Sequence, residues 1–242
     1  MTEAVLWGLV ASSSLLIGAV IAMTACPPDR IIGLVLGFGA GTLISAISFE
    51  LAEEAFNLGG ADALTFGLAA GALAFYVGDR LVAPRAEEGM HEREMPEQDE
   101  SGRTLLLGAL LDGVPETAVL GSTLLTGSGV GVPVLAAIFL SNLPEGIGGA
   151  SDMLESGVSR RRVIALWSGV AVICAASAGI GYQLLASAGD EAVAILQAFA
   201  AGGVLAMLAI EMLPAAHSKG GREAGLMTVL GFALAYLLST IG

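Results

Sequence analysis

Two short strings near the middle of this chain place oxygen-bearing side chains among apolar ones: "LLDGVPETAVLG" (110–121) and "FLSNLPEGIGGA" (139–150). In the first, Asp112 and Glu116 stand four residues apart; in the second, Ser141 and Glu145 repeat that interval, with Asn142 one step around. On a helix this spacing puts each pair on one face. Each glutamate follows a proline, Pro115 or Pro144. A helical proline lacks an N–H and displaces the carbonyl four residues back, so Leu111 and Leu140 are expected to turn backbone oxygens toward the same place. Carboxylates, an amide, a hydroxyl and main-chain carbonyls form an oxygen donor set. Such a set suits hard or borderline divalent cations, whereas soft ions prefer sulfur.

The elements that must position these groups are membrane helices. Of the 242 residues 55% are hydrophobic, mean hydropathy is +0.80, and only 14% are charged, against about 25% in ordinary soluble domains. Breaking the chain at prolines, charges and polar clusters predicts eight spans, at about 4–25, 31–56, 62–82, 104–126, 130–154, 162–187, 191–215 and 223–241. All ten Lys and Arg residues then fall at one end of the spans: Arg30, Arg80, Arg85, Arg93, Arg103, Arg160, Arg161, Arg162, Lys219 and Arg222. Basic residues favour cytoplasmic loops, so both termini are expected outside. The first apolar stretch, Ala4 to Ala25, lacks a basic leader and a small-residue cleavage pattern and reads as a retained helix. The 34 glycines suit close helix contacts, and the two cysteines, Cys26 and Cys174, form no motif. The net charge of −13 argues against a nucleic-acid partner, and part of it is local. Residues 84–103 hold seven acidic residues and three arginines and read as a solvated cytoplasmic linker.

Asp112, Glu116 and Glu145 lie near the middle of their spans, where each ionised carboxylate costs about 2.5–3.5 kcal/mol. No Lys or Arg lies within spans 4 or 5 to pair with them. Protonation, hydrogen bonds, water or a bound cation must offset that cost, and the spacing favours the cation. Protonated carboxyls bridging helices, or prolines that only kink them, are the alternative. Glu50 and Glu211 are read as near the cytoplasmic ends of spans 2 and 7, on a pathway or at a solvated end. Asp79 reads as a local ion pair with Arg80.

Sliding the chain by 161 positions aligns "GFGAGTLISAISFELAEEAFNLGG" (37–60) with "AFAAGGVLAMLAIEMLPAAHSKGG" (198–221), matching Glu50 to Glu211 and Gly59-Gly60 to Gly220-Gly221. The shift crosses five spans, an odd number, so the matched units are expected to run in opposite directions, as in inverted-repeat transporters. The two Pro-Glu strings match each other in the same way. The expected architecture is an all-α polytopic bundle of eight helices, three, two, then three inverted. It forms a single domain: repeat 1 at about 4–82, the loop at 84–103, a central pair at 104–154, and repeat 2 at 162–241.

These strings resemble the ZIP (Zrt/Irt-like) family of divalent-metal transporters, in particular its bacterial members. Spans 4 and 5 of that family carry H-N-x-P-E-G and similar motifs, matched here by Asp112-Gly113-Val114-Pro115-Glu116-Thr117 and Ser141-Asn142-Leu143-Pro144-Glu145-Gly146. Ile210-Glu211-Met212-Leu213-Pro214 is similar to the family's H-E-x-L-P segment. The resemblance implies uptake of divalent metal into the cytoplasm across the plasma (inner) membrane by alternating access, in a lipid-embedded homodimer, with the metal as cargo rather than cofactor. It further implies that Asp112, Glu116, Ser141 and Glu145 face a first metal. Asn142 would join Glu116 and Glu145 at a second, and Glu211 would lie on the cytoplasmic exit path. The chain departs from the motif at its nitrogens: Asp112 and Ser141 replace histidines, Gly113 stands where Asn is usual, and Ile210 replaces the span 7 histidine. Zinc, iron, manganese, cobalt and cadmium are therefore comparable cargoes. Two other classes fit fewer features: a metal-binding sensor or structural relative without flux, and an intramembrane hydrolase suggested by Tyr76-Val77-Gly78-Asp79.

Overall fold

The computed structural model describes residues 1–25, 27–82, 98–126 and 132–241, with the backbone alone for 82, 98–108, 111, 112, 126, 133 and 241. Among the described residues every element is helical. They are α1 (Thr2–Ala25), α2 (Asp29–Ala46), α3 (Glu53–Val82), α4 (Gln98–Thr123), α5 (Val132–Glu155), α6 (Arg160–Leu185), α7 (Asp190–Met207), α8 (Leu213–Gly220) and α9 (Glu223–Ile241). Two π-helical segments interrupt this pattern: Ile47–Ala52 joins α2 to α3, and Leu208–Met212 joins α7 to α8. Gly60 breaks α3 near its start with φ 72° and ψ −172°, a conformation closed to residues with a Cβ.

Among the described residues, five stretches are long and apolar enough to cross a membrane: Thr2–Ala25, Asp29–Leu81, Arg160–Leu185, Asp190–Gly220 and Glu223–Thr240. The chain is a multi-pass membrane protein. The second stretch contains 53 residues, about 80 Å of helix, and the Gly60 break divides it into two crossing lengths. Eight spans were expected; the five stretches account for spans 1, 2 with 3, 6, 7 and 8, and α4 and α5, which include positions whose side chains lie outside the described residues, stand where spans 4 and 5 were expected. A boundary also moves. Helix α4 begins at Gln98, inside the stretch expected to be a linker to residue 103, while residues 83–97 of that stretch lie outside the described residues.

The backbone follows the 161-residue shift closely. Asp29 and Ala46 bound α2, and Asp190 and Met207 bound α7. The π-segments begin at Ile47 and Leu208, and positive-φ glycines follow them at Gly60 and Gly221, a third, Gly157, lying in the turn between α5 and α6. Each of these pairs differs by 161. Pro214 withholds the N–H that Ile210 would otherwise accept, which loosens the second π-segment. Glu53 occupies the matching place in the first, so proline is not the common cause.

Packing is paired in the same way. The most extensive contacts join α3 to α7 and α9 to α2, with α1 against α5, α4 against α6 and α1 against α6 next. Glycines set the separations: a Cβ at Gly202 would overlap the Leu68 carbonyl, and one at Gly41 would overlap that of Thr228. Small residues let the backbones meet, as lipid-embedded helices require in place of a hydrophobic drive. The interior is accordingly rich in alanine, around Leu15, Ile32, Leu43, Met153, Trp167, Met207 and Leu208. Phe66, Leu73 and Leu81 of α3 and Leu226 and Val229 of α9 face outward.

Two ion pairs fix one end of the bundle. Arg30 meets Glu223 at 3.1 Å and Lys219 meets Asp29 at 3.7 Å, while Lys219 also acts on Asp152 near the end of α5. This end, with Arg160–Arg162 at the start of α6, is the basic end. Glu50 lies 21 residues beyond Asp29, about 30 Å of helix away, so it sits at the opposite, acidic end. The expectation that Glu50 and Glu211 share an end is corrected: only Glu211, eight residues before Lys219, lies toward the basic end.

Candidate metal centre

Helices α4 and α5 bring the Pro-Glu strings into the interior. Glu116 is 2% exposed, and Ser141 and Asn142 are fully buried. Pro144 is buried, and Pro115 faces an apolar pocket formed by Gly71, Ala74 and Phe75 of α3 with Phe199, Gly203 and Met207 of α7. Glu116 and Glu211 both act electrostatically on Glu145. Glu145 of α5 therefore lies within electrostatic range of carboxylates from α4 and from the second π-segment. Asp112 lies one turn before Glu116 on α4, and its side chain is outside the described residues. Among the described residues, no three His, Cys, Asp or Glu side chains gather closely enough to hold a metal. Glu116 and Glu145 thus form the core of the region, with amide, hydroxyl or further carboxylate oxygens needed to complete a coordination shell.

The two polar residues before Pro144 differ in readiness. Ser141 donates its hydroxyl to the Ile138 carbonyl of its own helix at 3.0 Å, and its backbone presses on α2, where a Cβ at Gly39 would lie 3.0 Å from the Ser141 Cα. Asn142 has neither amide atom hydrogen-bonded among the described residues although it is fully buried. An amide in that condition costs about 1–3 kcal/mol unless something else binds it. Of the two, Asn142 is the one left with ligating capacity in search of a partner.

The surroundings explain residues that look like motif positions. A Cβ at Gly146 would overlap the Leu15 carbonyl, so this glycine admits α1 against α5. A Cβ at Gly113 would lie 2.7 Å from the Cys174 sulfur, so an asparagine there would collide with α6. Cys174, silent in the sequence, is fully buried and acts electrostatically with Glu116 and Glu145. Thr117 turns its hydroxyl to the Gly113 carbonyl at 2.7 Å.

Glu116 also separates two environments. It lines an apolar pocket together with Leu43, Ile47, Leu51, Val134 and Ile138. On the basic side, Glu211 acts electrostatically on Glu145 and is itself acted on by Asp79 of α3. Asp79 was expected to pair locally with Arg80; its carboxylate acts on Glu211, and the Arg80 guanidinium lies 5.0 Å from the Tyr76 ring centre. Carboxylates thus continue from the centre toward the basic end.

A distant relative can now be set beside this geometry. The chain is 26% identical over 190 residues to a protein of Arabidopsis thaliana named "Putative zinc transporter". The aligned region is 77% of this chain and 30% of that protein, so the chain spans about 30% of the length of the curated relative it matches. No protein-family model matches the chain.

Proposed function

We propose that this protein transports divalent metal cations into the cytoplasm as a bacterial ZIP-type carrier, by alternating access about a carboxylate site between α4 and α5. The observation that carries the reading is the mutual electrostatic influence of the interior carboxylates Glu116 and Glu145 on facing helices, with Glu211 of a third segment also acting on Glu145 and no Lys or Arg within 104–155 of α4 and α5. Like charges converging in an apolar interior are costly, and a divalent cation is the direct means of offsetting that cost. In this reading Asp112 and Asn142 complete the oxygen shell, Ser141 adds its free lone pairs, and Glu211 receives the ion on its way to the basic, cytoplasmic end. The metal role of the plant relative supports the same class of activity.

The matched boundaries of α2 and α7, the paired π-segments and the paired helix contacts support an eight-helix, three-two-three inverted repeat with both termini outside. Such a repeat supplies two equivalent packings of one structure, the requirement for alternating access. A homodimer in the plasma membrane completes the proposal.

The test is uptake into proteoliposomes across zinc, iron, manganese, cobalt and cadmium. Wild-type protein is expected to carry at least one of them, and Glu116→Gln and Glu145→Gln to abolish that flux while the protein still folds. Undiminished uptake by both variants would overturn the proposal.

A further inference from the structure

At the acidic end, a second polar group lies between α3 and α7. Gln197 is 1% exposed, and its Nε2 donates to Glu54 Oε2 at 3.1 Å. Its Oε1 has no hydrogen-bond partner among the described residues. Glu54 and Glu53 act electrostatically on Glu50, in the first π-segment immediately before them. A buried amide oxygen therefore stands unpartnered beside carboxylates, and its own N–H fixes one of them in place.

Helix packing does not require this pair. The positions 161 residues away are Leu36 for Gln197 and Ala215 for Glu54, both apolar, although α9 packs on α2 much as α3 packs on α7. The small residues Ala55, Ala63, Ala194 and Ala198 already close the α3–α7 contact beside Gln197. The end as a whole also has one sign of charge. Glu3, Glu50, Glu53, Glu54, Asp62, Asp190 and Glu191 lie at the ends of α1, α3 and α7 or beside them, and every Lys and Arg of the chain falls in the other set of loops. A field of that sign concentrates cations at the surface.

The geometry points to a second cation site at the acidic end, in which Gln197 Oε1, Glu54 and Glu50 bind a hydrated divalent cation. Two carboxylates and an amide are a sparse oxygen set, so water completes the shell and affinity is weak, on the order of 10⁻⁴–10⁻³ M as in open oxygen sites. In the transport reading, on which this role rests, the site gathers metal on the outside before the apolar pocket above Glu116 opens. Binding itself does not depend on that reading.

The experiment is a Mn²⁺ titration of the purified protein in nanodiscs, with free ion followed by electron paramagnetic resonance. It is made on wild type, Gln197→Leu, Glu54→Gln, Gln197→Glu and a Glu116→Gln, Glu145→Gln double variant. The double variant is expected to keep one weak site, and adding Gln197→Leu or Glu54→Gln to it is expected to weaken that site at least tenfold. Gln197→Glu adds a carboxylate at constant size and is expected to tighten it several-fold, which covers the case in which the leucine variant fails to fold. Weak binding that is the same in the wild type and in the double variant, with no tighter site in either, would support this inference and speak against the central one. Mn²⁺ binding unchanged by Glu54→Gln and by Gln197→Glu overturns it and leaves Gln197 as a strut between two helices.

Discussion

Replacing Glu116 by Gln should make the metal-free protein more stable and the metal-loaded protein less so. Glu116 is 2% exposed and acts on Glu145. An ionised carboxylate at this depth costs about 2.5–3.5 kcal/mol, and the amide removes both that cost and its repulsion of Glu145. Part of the gain is lost because an amide also needs partners, so a net gain of about 1 kcal/mol is expected without metal. With metal the order reverses. At a hundredfold excess over the dissociation constant, a cation stabilises the wild type by about 2.7 kcal/mol, which for a chain of this size is roughly 5–10 °C in Tm. The Gln variant should show almost none of that increment. Thermal unfolding in detergent, followed by tryptophan fluorescence with and without metal, reads both numbers. A Gln variant that is less stable without metal, yet gains as much from metal as the wild type, would refute the reasoning.

Three further outcomes follow from the geometry. Asn142→Leu should stabilise the metal-free protein by up to about 2 kcal/mol, by removing an unpartnered buried amide, and weaken metal binding at least tenfold; calorimetry checks both. Glu211→Gln should leave equilibrium binding at the centre within about threefold while lowering the uptake rate, since Glu211 lies on the basic side of the Glu116 and Glu145 pair. Gly41→Ala places a methyl group against the Thr228 carbonyl and should cost about 1–3 kcal/mol, whereas at Gly148 an added Cβ meets nothing within 4 Å and alanine should be neutral or stabilising by up to about 1 kcal/mol, both read from unfolding transitions.

Much of the centre was legible because rare residue types stood in an apolar background. Pro-Glu twice, and Glu50 matched to Glu211, stand out where Leu and Ala are the rule, and in the structure Glu116 and Glu211 both act electrostatically on Glu145. What stayed hidden depended on rotation and distance. Spacing put Ser141 on the face of Glu145 and Asn142 a step away, but it does not reveal that the Ser141 hydroxyl bonds to its own helix while the Asn142 amide remains unpartnered. The π-segments have no marker common to both copies, and each adds a residue to its turn, so a strict helical period misjudges which way Glu50 and Glu211 turn. Glu54 stands at the start of α3, where a polar residue normally means solvent, Gln197 lies two turns into α7, and nothing in their spacing joins two residues 143 positions apart. Gly113 looked like a missing ligand; its place is set by the sulfur of Cys174.

The central claim is that oxygen atoms of α4 and α5 hold the transported ion between them. X-ray absorption at the zinc edge, on protein loaded with one equivalent of zinc in nanodiscs, tests it most directly. An oxygen shell at about 2.0–2.2 Å, lost in Glu116→Gln and in Glu145→Gln, is the predicted result. A shell containing sulfur at about 2.3 Å, or a spectrum unchanged in both variants, would contradict the account.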